Sequence, residues 1–93
     1  MSKQRFSSVW DAIEDTPIEA ENMKLRSALM IALKDHIQHE KLTQSQAANL
    51  LGVTQPRVSD LLRGKIDLFG LDTLVNMLAQ AGLRVEMRVT NAA

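Results

Sequence analysis

Apolar residues recur at helical intervals through most of the chain, then switch near its end to every second position. Phe6, Val9, Trp10 and Ile13 follow a 3.6-residue period and predict a short amphipathic helix over 7–14. Thr16-Pro17-Ile18-Glu19 reads as a second helix start: a capping hydroxyl, a proline at the first helical position and a glutamate three residues after the cap. This helix is expected to run to about Glu40, with Leu25, Leu29, Ala32, Leu33 and Ile37 as its inner stripe. Thr43 caps a third helix, with Gln46 in the capping-box position and Ala47, Ala48, Leu50 and Leu51 on its buried side. Gly52 ends it, as a residue tolerant of the left-handed region should. Thr54 caps a fourth helix, Pro56 falls in its first turn, and Gly64 stops it after about Arg63. A fifth helix fits 71–81, with Leu71, Leu74, Val75 and Leu78 inside and Gly82 closing it.

Beyond Gly82, Leu83, Val85, Met87 and Val89 alternate with Arg84, Glu86, Arg88 and Thr90. Strict alternation predicts a half-buried strand. No second strand is visible, and a lone strand leaves backbone groups unpaired, so the same strand of a second copy is its expected partner. Pairing about Met87 would oppose Val85 to Val89 and Glu86 to Arg88, whereas pairing about Glu86 would oppose like charges. Truncation after Gly82 should then give a monomer. The expected architecture is an all-α bundle of about five helices with one C-terminal β-strand, paired across a dimer. It divides into an N-terminal arm (1–15), a helical domain (16–82) and a dimerisation strand with its tail (83–93).

Composition narrows the function classes. The 93 residues make one domain and contain no cysteine, which excludes disulfides and zinc–thiolate sites. No apolar run is long enough to span a membrane, and no signal-peptide layout is present, so a soluble cytoplasmic protein is expected. The formal net charge is zero, but it is segregated. Residues 41–65 carry Lys41, Arg57, Arg63 and Lys65 against Asp60 alone, while 11–22 carry Asp11, Glu14, Asp15, Glu19 and Glu21 with no base.

The stretch Gln44–Gly64 places two short helices around a tight turn. Close crossing needs a small residue, which Ala48 supplies, and the turn needs positive φ, which Gly52 allows four positions later. Val58, Leu61 and Leu62 can anchor the second helix. Thr54, Gln55, Arg57, Ser59, Asp60 and Arg63 are left for its outer side. This is helix-turn-helix geometry, in which the second helix enters the major groove N-terminus first.

On these residues the stretch Lys41–Gly82 resembles the Cro/repressor-like (XRE) helix-turn-helix family, whose fold is the lambda-repressor-like bundle. Leu42-Thr43-Gln44 through Val58-Ser59-Asp60-Leu61-Leu62-Arg63-Gly64, with Phe69 and Leu74, is similar to the branch that includes HigA-type antitoxins. Ser8-Val9-Trp10-Asp11-Ala12-Ile13 and Met23-Lys24-Leu25-Arg26-Ser27 extend that similarity. The resemblance implies a dimeric repressor of a palindromic operator on double-stranded DNA, with a RelE-like toxin as a further partner where one is present. It also implies that Gln44 bonds a phosphate and braces Gln55.

Individual roles follow from side-chain chemistry. Backbone N–H groups at the two helix starts, around Gln44 and Ser45 and around Thr54, favour phosphate. The Gln55 amide can pair bidentately with adenine, and Arg57 can read guanine or clamp a phosphate. Thr54 and Ser59 suit a phosphate or a base edge, although Ser59 could equally be a surface serine. Arg63 and Lys65 lie past the tip and suit phosphate. Asp60 is expected to pair internally with Arg57 or Arg63. His36 and His39 share a helix face but lack a third ligand, so no metal is expected, and the methionines read as packing. The Phe6/Val9/Trp10/Ile13 face fits the domain's own core or a docking partner. No nucleophile–base pair and no phosphate loop is present, so no enzyme and no cofactor is expected. The competing class is a protein-interaction module that keeps the fold without specific DNA binding, and the zero net charge is the feature in its favour.

Overall fold

The computed structural model describes residues 17–91. In chain order it contains α1 (Pro17–His39), α2 (Gln44–Leu51), α3 (Gln55–Leu62), a 3-10 turn (Ile66–Leu68) and α4 (Leu71–Gln80). The helix expected over 7–14 lies outside the described residues, so four of the five expected helices are seen. Residues 83–91 form no strand in the single chain. The reason is physical: a strand is defined by ladder hydrogen bonds, and a lone segment has nothing to bond to.

Local chemistry sets the helix ends. At the start of α2, the Thr43 hydroxyl accepts from the Gln46 backbone N–H at 3.1 Å and the Gln46 side chain accepts from the Thr43 N–H at 2.9 Å, which closes the expected capping box. At its end Gly52 sits at φ 70° and donates to the Ala48 carbonyl. The chain turns back there and Thr54 begins α3, its hydroxyl accepting from the Arg57 N–H at 3.3 Å. A methyl group at Gly52 would meet only the Gln80 side chain, at 3.7 Å. The cost of Gly52→Ala is therefore backbone strain in the left-handed region, about 1–2 kcal/mol. Urea denaturation should register that loss, and an unchanged midpoint would mean the turn does not need this conformation. The α1 terminus has no glycine; Lys41 takes the left-handed position at φ 55° while the Leu42 N–H reaches the Ile37 carbonyl at 3.0 Å. That bond and the packing of Leu42 on the core hold a conformation disfavoured for lysine.

Each helix sends apolar side chains to one core. Leu33 of α1, Leu51 of α2, Val58 and Leu61 of α3, Leu74 of α4 and Phe69 from the loop before α4 are its largest fully buried members. Helix α2 packs chiefly on α3, and α1 on α4. Among the described residues no polar or charged side chain is buried.

Two helices are rotated from their expected faces, and a third keeps its expected face with one position less buried. In α1 the inner stripe is Met30, Leu33 and Ile37, with Leu29 half-buried; Leu25 is exposed at 55% and Ala32 is also exposed. In α4, Met77 goes inside with Leu74 and Leu78, and Val75 faces out. In α2, Leu50 is only half-buried. Successive residues are about 100° apart around a helix, so choosing Met30 and Met77 as inward positions turns Leu25, Ala32 and Val75 away from the body. The apolar stripes of these helices are wide enough to admit either rotation, and the neighbouring helices decide it.

Candidate nucleic-acid interface

Helix α3 divides cleanly by face. Val58 and Leu61 are fully buried and Leu62 packs half-buried against the core, so the helix is held from one side. On the opposite side Arg63 is exposed and Ser59 and Asp60 are half-buried, while at the start of the helix Thr54, Gln55 and Pro56 are exposed and Arg57 is half-buried. The polar row is thus presented by an apolar anchor, as the sequence pattern requires. Gln44, Ser45 and Gln46 open α2 on exposed positions.

Neither first turn contains an acidic residue. The free N–H groups and the positive ends of the two helix dipoles are therefore not neutralised locally and suit an anion. Thr54 spends its hydroxyl as the α3 cap, which leaves its remaining lone pair and proton for a ligand. Arg63 closes α3 as its C-cap residue. Among the described residues, Lys41, Arg57 and Arg63 make no ion pair.

Two partners differ from the sequence-based assignment. Asp60 pairs with Lys65, 3.6 Å away, and not with Arg57 or Arg63. Lys65 lies beyond Gly64, where the chain has already turned back along α3, and that return brings its ammonium to Asp60. Any anion would have to compete with that carboxylate for Lys65, whereas Arg63 makes no ion pair among the described residues. Arg57 lies with its guanidinium carbon 4.9 Å from the centroid of the Phe69 ring, in cation–π range. Nor does a hydrogen bond join Gln44 to Gln55 in the described residues, so the brace implied by the family resemblance is absent from the free chain.

The resemblance marks Phe69 but gives it no place in the site, where it in fact lies beside Arg57. One signal could have singled it out, since it is the only aromatic residue after Trp10. A residue fully buried beside an arginine of the polar row cannot be placed from spacing alone, because the two are brought together by the 3-10 turn. The expected dimerisation residues also divide. Leu83 and Val85 are half-buried against the chain's own core, whereas Met87 and Val89 are exposed at 82% and 88%.

Among the described residues, no group of three or more histidine, cysteine, aspartate or glutamate side chains could hold a metal ion. His39 sits 3.3 Å from the Glu40 carboxylate. No described helix is long and apolar enough to cross a membrane.

The helix-turn-helix domain family matches residues 12–90, which is most of the chain. A solved chain assigned to the XRE family of transcriptional regulators superposes with a TM-score of 0.73 at 32% sequence identity, covering 78% of this chain and 82% of the other. No curated protein matches. By both sequence and fold, this chain belongs to the helix-turn-helix domain family and is similar within it to XRE-type regulators.

Proposed function

We propose that this chain is a sequence-specific DNA-binding transcriptional regulator that acts as a dimeric repressor. The single observation that carries this reading is the two-sided α3: Val58 and Leu61 are inside, while Thr54, Gln55, Ser59 and Arg63 line an accessible edge next to two positive helix ends whose first turns hold no acid. That edge fits the major groove, with Gln55 against adenine and Arg57 at the same end of the helix. Gln44, Ser45, Thr54, Arg63 and Lys65 grip phosphates on either side. Two such helices related by a two-fold axis read a palindrome with half-sites about 34–36 Å apart. The alternating segment 83–90 supplies the axis by pairing with its copy. Occupancy of the operator blocks transcription.

Resemblance to the HigA-type branch supports a second partner, a RelE-like toxin, bound away from α3. The Trp10 face that would serve it lies outside the described residues. An interaction module without DNA binding explains the zero net charge, but it gives no reason for an acid-free first turn on both motif helices.

The test is selection from a random duplex library followed by fluorescence anisotropy over a salt series. A palindromic site should emerge, with log K falling against log salt by about 0.9 per phosphate contacted. Gln55→Ala should remove about 1–3 kcal/mol of discrimination at one base pair of each half-site. Binding that ignores sequence and survives the substitution favours the interaction module.

A further inference from the structure

Arg57 and Phe69 together make a contact that the general helix-turn-helix reading leaves open. Arg57 is the third residue of α3, in the turn that leads into a groove, and its backbone N–H is fixed by the Thr54 cap. Its guanidinium lies over the Phe69 ring at 4.9 Å. Phe69 itself is fully buried, so the ring is a fixed platform and not a mobile surface group. The one carboxylate on α3, Asp60, is drawn away by Lys65. Arg57 therefore makes no ion pair and its guanidinium no hydrogen bond among the described residues.

A guanidinium held within cation–π range of a fixed ring samples fewer donor directions than a free one. That costs little when the target is a phosphate, which any flexible cation can satisfy, and it matters when two donors must meet two acceptors at once. The guanine edge offers such a pair, O6 and N7, in the major groove. We propose that Arg57 reads a guanine in each half-site and that Phe69, which touches no DNA, is the positioning residue that sets this specificity. The proposal rests on the DNA-binding reading above and deepens it.

The test uses the full chain and the palindrome that it selects. Wild type should prefer guanine at one position per half-site by about tenfold or more over adenine, and lose a similar factor when 7-deazaguanine removes N7. Arg57→Lys keeps the charge on a half-exposed position but removes the fork. It should cut the guanine preference to a few-fold, because an ammonium still donates to the guanine edge but without the planar fork, while leaving the salt slope intact. Phe69→Leu should bring the preference down to a few-fold, again with an unchanged slope, in a chain that still melts cooperatively. The proposal is overturned if R57K keeps full guanine discrimination, or if R57K and Arg57→Ala weaken all sequences alike and R57A lowers the salt slope by about one, which would make Arg57 a phosphate clamp. It is also overturned, with Arg57 surviving as reader, if a folded F69L discriminates like wild type. Should F69L fail to fold, the R57K result still decides the guanine contact, and Phe69→Met in its place decides the platform. A wild-type chain that selects no sequence at all fails the broader reading, and this assignment falls with it.

Discussion

Replacing Met87 with aspartate is expected to convert a dimer into a monomer and to weaken operator binding by about a hundredfold or more, the gain that linking two half-site readers usually brings. Met87 is the residue about which an antiparallel pair of 83–90 segments would be centred, so two aspartates would meet across the axis with like charges opposed. In the single chain Met87 is exposed at 82%, so the substitution leaves the chain's own core intact. This separates it from truncation after Gly82, which also strips away Leu83 and Val85, both half-buried against that core. In the same register Val85 faces Val89 of the second copy and Glu86 faces its Arg88. The exposed Val89 would then extend the apolar surface that Leu83 and Val85 begin. Sedimentation velocity at micromolar concentration, alongside anisotropy on a palindrome and on a half-site, reads both effects. A variant that sediments as a dimer and holds the palindrome like wild type removes the strand from the assembly.

The largest loss of stability is expected from Leu61→Ala, at about 2–5 kcal/mol. Leu61 is fully buried and fixes α3 to the body together with Val58. Domains of this size have only roughly 5–15 kcal/mol in hand, and small ones sit at the low end. With about 4–8 °C lost per kcal/mol, the melting midpoint should fall by at least about 8 °C. Below the new midpoint the folded fraction should still select the same sequence, because the polar edge is unchanged. Calorimetry and anisotropy at two temperatures check this. A drop of less than about 3 °C would mean that α3 is not held by this residue and that its orientation has another origin. Gln55→Ala should show the opposite pattern, with selectivity lost and the midpoint kept.

What could be read from the sequence was the chemistry that acts within a few residues. Thr43 with Gln46, Gly52 and Thr54 each satisfy a backbone need set by their own neighbours, and all three appear where spacing puts them. The polar row on α3 was legible for the same reason, because Val58 and Leu61 fix which side faces in. What depended on a distant element was not legible. The choice of Met30 over Leu25, and of Met77 over Val75, is made by packing partners that a helical period cannot name. The pairing of Asp60 with Lys65 follows from the chain reversing after Gly64. The stack of Arg57 on Phe69 needs the 3-10 turn at Ile66–Leu68, which no periodicity announces. Sequence therefore located the candidate site but could not say which of its cations was already engaged.

Because the described interior contains no buried polar side chain, the body sets no hydrogen-bonding condition on the outer edge of α3. Gln55 can be exchanged for another side chain in one step without disturbing the packing beneath it, so duplicated copies of such a gene could drift towards different target sites while keeping one architecture. Arg57 is the exception: it shares a ring with the interior, and any drift there would have to carry Phe69 along.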